Sequence, residues 1–147
     1  VTEQQISHAA TNALSFYAAA KRCNINGMVP IGTPSIINAS FSVELALKVI
    51  LYSDGVDCKG HHLLALMEKL PSEICIEIQN YLVVKWPDYE QQLKNCDKAF
   101  VDWRYVHKID IELNININFL IFLSEICCRI MMEQIGYTSN VELQDML

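Results

Sequence analysis

Arg104 and His107, in the run Trp103-Arg104-Tyr105-Val106-His107, are the residues whose types and spacing best fit a chemical task. Arginine carries a permanent planar charge suited to phosphate, and imidazole exchanges protons near neutral pH. Three positions apart on a helix, the two share a face. Such a pair can hold a phosphate, stabilise charge developing on it and move a proton. Each also has a structural reading. Arg104 is expected to form an ion pair with Glu44, because a bundle arginine is normally paired and losing a buried partner costs about 3–5 kcal/mol. His107 near a helix C-terminus is favoured by the helix dipole.

Other constellations carry less. Cys58 and His61 have half-site spacing for zinc, but no nearby motif supplies two more ligands. The adjacent Cys127 and Cys128 point about 100° apart on a helix. No metal and no cofactor is expected, and His61 is expected to cap a short helix or pack on the bundle. Trp86, Phe100, Trp103 and Tyr105 could stack bases, yet without interleaved basic residues core packing explains them better. Neither a Gly-rich phosphate loop nor a Ser-His-Asp order is present.

The elements that must position these residues read as helices. Residues 2–22 are Ala-rich, with Ile6, Ala10, Ala13, Leu14, Tyr17 and Ala20 near a helical period. A loop containing Gly27, Pro30 and Gly32 follows, and Thr33-Pro34 predicts the cap and first position of a second helix ending at Asp54-Gly55. A short helix is expected over 62–69 and another from Pro71-Ser72-Glu73 to Trp86-Pro87-Asp88. A continuous helix is then expected over 89–107. Residues 109–119 alternate apolar and polar, the signature of a strand, but no second such segment exists to pair with it. A helix from about Glu112 to Gly136 accommodates Leu113, Ile117, Leu120, Leu123, Ile126 and Ile130. The residues from 137 on read as a poorly ordered tail.

At 147 residues and 52% hydrophobic, the chain suits one domain, 1–147, with a real core. The formal charge is -6, so attraction to a polyanion would have to be local. Mean hydropathy of +0.19 suggests apolar surface buried against a partner. The stretch 115–132 is interrupted by Asn116, Asn118, Ser124, Glu125 and Arg129, too polar for a membrane span. Six cysteines without a disulfide framework suggest a reducing, cytoplasmic setting. The sequence begins at Val1 with no recognisable signal peptide, and a trimmed start Met or tag is expected.

Three segments in order, Phe41-Ser42-Val43-Glu44-Leu45-Ala46-Leu47-Lys48, Gly60-His61-His62-Leu63 leading to Leu70-Pro71, and Phe100-Val101-Asp102-Trp103-Arg104-Tyr105, resemble a bacterial branch of the HEPN superfamily. The resemblance spans roughly residues 38–105. It implies an all-α, up-and-down bundle of four main helices with short extra ones, homodimeric through the helices flanking its site. Such domains occur as metal-independent endoribonucleases in toxin–antitoxin and antiphage-defence systems, as nucleotide-binding partners of nucleotidyltransferases, and as inactive accessory modules. The resemblance makes Arg104 and His107 the catalytic pair, with Glu44 beside the arginine. RNA or a nucleotide would be the ligand, and an antitoxin or nucleotidyltransferase the partner. Active members separate Arg and His by four to six residues, whereas His107 follows Arg104 by three positions. Cleaving and non-enzymatic readings therefore both stand on the sequence.

Overall fold

A computed structural model describes residues 1–24, 27, 31–105, 107 and 114–136. The described residues form seven helices and no strand: α1 (Glu3–Cys23), α2 (Gly32–Ser53), α3 (Leu63–Met67), α4 (Ser72–Lys85), α5 (Tyr89–Cys96), α6 (Ala99–Arg104) and α7 (Ile117–Gln134). The protein is an all-helical bundle, with α1, α2 and α7 in mutual contact at its centre and α4 against α7.

The long helices start and stop for local reasons. Thr2 and Gln5 close a reciprocal capping box before α1. At the end of α2, the Val56 N–H donates to Leu51 O at 2.9 Å and Gly55 N–H to Tyr52 O at 3.0 Å, satisfying two terminal carbonyls. Asn116 caps α7 through its side-chain oxygen, which accepts from Phe119 N–H at 3.1 Å.

Small side chains let the central helices approach. Ala10, Ala13, Tyr17 and Ala20 of α1 meet Ser35, Ala39, Ser42 and Ala46 of α2, all buried. Ser35 donates to Ala20 O at 2.9 Å and Ser42 to Ala13 O at 2.7 Å, so α1 and α2 run antiparallel. Gly32 lies against Ile117, where a Cβ would come within 3.2 Å of Ile117 Cδ1. Ser42 meets Ser124 and Cys128 further along, so α2 and α7 run parallel. α2 is long and apolar enough to cross a membrane by length and composition, but 67% of that window is buried within the bundle. Its apolar surface is already used by α1 and α7.

Several boundaries differ from the sequence expectation. Thr33 is not the cap of α2: the helix begins at Gly32, and Ile31 O accepts the first bond from Ser35 N–H. Pro34 is tolerated because first-turn N–H groups have no intrahelical acceptor. α7 starts at Ile117 rather than near Glu112, and residues 114–116 are not helical. The first part of the alternating stretch, 109–113, and the tail from 137 lie outside the described residues.

The expected continuous helix over 89–107 is broken into α5 and α6. Within a continuous helix, Asp97 O would accept from Val101 N–H. Here Asp97 O accepts from Leu63 N–H at 3.1 Å instead, while Val101 N–H turns to Lys98 O. The Asp97 carboxylate also accepts from Leu64 N–H at 2.8 Å. Asp97 thereby holds the start of α3 and bends the chain between α5 and α6.

Candidate functional site

Glu44 and Lys48 are one helical turn apart on α2, facing the loop before α3. Lys48 Nζ lies 2.7 Å from Glu44 Oε1, with side-chain exposures of 14% and 1%. A carboxylate closed to solvent this fully needs donors on both oxygens. The second donor is His61, whose Nδ1 lies 3.0 Å from Oε1 and 3.0 Å from Oε2. Because an ionised carboxylate can only accept, Nδ1 carries the proton and donates. Nε2 is then left to exchange a proton outside, and the His61 side chain is 49% exposed.

The loop that carries His61 is fixed from three directions. Gly60 has φ 94°, a left-handed conformation that glycine adopts without a Cβ clash, and it turns the chain into His61. Tyr52 Oη donates to Cys58 O at 3.3 Å, and Asp97 anchors Leu63 and Leu64 on the far side. The same bend at Asp97 launches α6, which packs on α2. Phe100 of α6 stacks on Phe41 of α2 with centroids 4.5 Å apart and planes at 18°, and its centroid is 5.7 Å from that of His61. The Arg104 guanidinium carbon lies 4.4 Å over Phe100 and 5.3 Å over Tyr105.

The three residues assigned from the sequence are therefore brought together in part. Glu44 and Arg104 flank one aromatic surface, but the expected Glu44–Arg104 ion pair is replaced. Glu44 bonds Lys48 and His61, while Arg104 is exposed and rests on the two rings. The reason is reach: Lys48 comes from the same helix at four residues, and Phe100 lies between α2 and the arginine. His107 is exposed and follows the end of α6 at Arg104, with Tyr105 as the cap, so the two residues do not share one helix.

His61 was missed as a site residue. It does not cap α3, a task taken by Asp97, although it does pack on the bundle through Phe100. The available signal was Glu44 and Lys48 on one turn of an apolar helix, a buried charge pair with a carboxylate oxygen still to satisfy. Trp86 and Trp103 pack against the core as expected, each with an indole N–H that has no partner among the described residues, whereas Tyr105, expected to pack likewise, is exposed. Among these residues no group of three or more His, Cys, Asp or Glu is placed to hold a metal. All six cysteines are free thiols.

Compared with protein-family models, with curated proteins and with solved structures, the chain matches none.

Proposed function

We propose that the protein is a HEPN-like domain that engages an RNA phosphodiester at the face formed by His61, Phe100 and Arg104. The observation that carries this reading is the Glu44–His61 pair opening beside a solvent-facing arginine. Glu44 fixes the tautomer and orientation of His61, as a buried acid does for a proton-transferring imidazole. Arg104 supplies a planar cation for the phosphate, and exposed Tyr105 supplies a ring on which a base can stack.

Metal-independent cleavage of RNA proceeds by attack of a 2′-hydroxyl on the adjacent phosphorus, with loss of the 5′-oxygen. One group takes the hydroxyl proton and another returns a proton to the leaving oxygen. His61 is held for one of these transfers, His107 is the candidate for the other, and Arg104 offsets the charge that builds on the phosphoryl oxygens. The same reading places the domain in the cytoplasm, in a toxin–antitoxin or antiphage-defence setting, with an antitoxin or nucleotidyltransferase as its partner.

The end of α6 at Arg104 favours a second reading, because His107 is not carried on the helix of the arginine. In that reading the face binds RNA or a nucleotide without cleaving it. RNA incubated with the protein in chelator separates the two, beside His61→Gln, His107→Ala and Arg104→Ala variants. Cleavage should fall about a hundredfold or more in the His61 and Arg104 variants, the scale of a lost acid–base or charge-stabilising group. Retention of RNA or a nucleotide-induced rise in melting temperature, without cleavage, supports the second reading. Intact RNA with neither response would overturn both.

A further inference from the structure

We propose that the protein binds a small amphiphilic amine, an ammonium head on an apolar chain, in a groove between the start of α1 and the ends of α2 and α7. The groove shares no residue with the Glu44 cluster, and the inference is independent of the phosphate reading. Because α1 runs antiparallel to α2, and α2 parallel to α7, the last residues of α2 and α7 lie beside the first turns of α1. The space left between them is about 390 Å³, within the range of about 300–1,000 Å³ that small-molecule sites occupy. Its walls are Ile6, Ala10 and Leu14, each one turn from the next on α1, and Met131, Met132 and Ile135 at the end of α7. Ala10 and both methionines are buried, while Ile6, Leu14 and Ile135 are half-buried. The two flexible thioethers let such a wall adapt to an unbranched chain.

The polar groups of the groove select the head group. Ser53 donates its hydroxyl proton to Val49 O at 2.9 Å, and Thr11 donates its own to Ser7 O at 3.0 Å. Toward the groove these two oxygens can therefore only accept. The Glu3 carboxylate, in the first turn of α1, makes no hydrogen bond or ion pair among the described residues. Apart from the Ser7 hydroxyl, no side chain lining the groove has a proton to give, and none is cationic. The helix ends add to this. α2 stops at Ser53 and α7 at Gln134, so two C-terminal dipole ends meet one N-terminal end, which itself carries Glu3. An anionic head would face like charge there. An ammonium brings three donors and a positive charge to a mouth that offers oxygens and negative potential, while its chain covers the apolar walls.

The test is titration of the full chain with octylamine, octanol and octanoate at neutral pH and one salt concentration, read by calorimetry and by methionine methyl NMR. Octylamine should saturate, shift the Met131 and Met132 methyl resonances and bind tightest of the three, with octanoate weakest. Glu3→Gln, at an exposed position, should weaken octylamine about three- to fivefold, the scale of one ion pair near solvent, and leave octanol unchanged. Ser7→Leu, which extends an apolar side chain into the groove from an exposed position, should weaken all three alike. Circular dichroism should be the same for both variants and the wild type. Equal binding of the three octyl compounds, an octylamine affinity indifferent to Glu3→Gln, or shifts that spare Met131 and Met132 would overturn the proposal. A full chain that binds none of them, including one whose groove is filled by another segment or another protein, would overturn it equally.

Discussion

Two polar groups on α2, Ser42 and Glu44, are both buried, and their surroundings differ in kind. Ser42 faces α1 and α7. Its hydroxyl donates to Ala13 O at 2.7 Å, accepts from Ser124 Oγ at 2.7 Å and lies 3.4 Å from Cys128 Sγ. With its one proton already given, Ser42 can only accept from the thiol, and the cluster is neutral, saturated and sealed. Glu44 points to the opposite side, toward α3 and α6, where its charge is met by one largely covered lysine and one half-exposed histidine. The first arrangement fastens three helices. The second holds an imidazole at a fixed angle with a free nitrogen. Burial is common to both; what sets Glu44 apart is a charge whose partner, His61, reaches solvent.

The largest effect that should separate these regions is alkaline unfolding governed by the sealed side. Burial pushes the Cys128 thiol from 9.0 up to about 12, opposed by its polar contacts with Ser42 and Ser124, and pushes Cys127 up as well. Burial, with Glu125 adding to it, lifts the Tyr17 hydroxyl from 10.0 to about 12. These groups stay protonated in the folded chain after the unfolded chain has lost the protons. Their contribution is therefore fully present below 9.0 for the thiols and is lost as pH rises through about 12. Urea midpoints measured across that interval should fall steadily, and Cys127→Ala with Cys128→Ala should flatten the fall. An unchanged slope would assign alkaline loss elsewhere.

A smaller effect probes the charged side. Lys48→Met leaves the Glu44 carboxylate buried with His61 as its partner, and a loss of about 3 kcal/mol is expected, the lower end for breaking a buried pair. Lys48→Met with Glu44→Leu should recover much of that stability while abolishing the orientation of His61, seen as loss of its Nδ1–H resonance in NMR. The smallest effect is expected at Ser42→Val, about 1–3 kcal/mol from an added methyl and a lost donor in a packed interface. That variant should leave any RNA response of the Arg104 face unchanged, which denaturation curves beside binding curves would check.

Parts of this were legible in the sequence because their causes are local. The Ala-rich period of α1, the breaks at Asp54-Gly55 and Trp86-Pro87, and the start of α4 after Pro71 each depend on residues within a turn of the boundary. Glu44 was singled out as well, as the partner expected for Arg104 and through the family resemblance. Residues 89–107 were misread as one helix because nothing near Asp97 disfavours helix. Its carbonyl and carboxylate are claimed by Leu63 and Leu64, the latter 33 residues away.

By itself the sequence determined the helical character of the chain, several of the breaks between its helices and thiols with no disulfide framework, and it singled out Glu44 as a partner for Arg104. The tertiary structure decided which partners each takes. It brought His61, 17 residues from Glu44, onto that carboxylate, moved Arg104 from the expected ion pair onto Phe100, and set α2 parallel to α7 with Ser42 between them. Periodicity and capping act over a few residues, whereas the partner of a buried polar group is chosen by whichever donor the packing delivers.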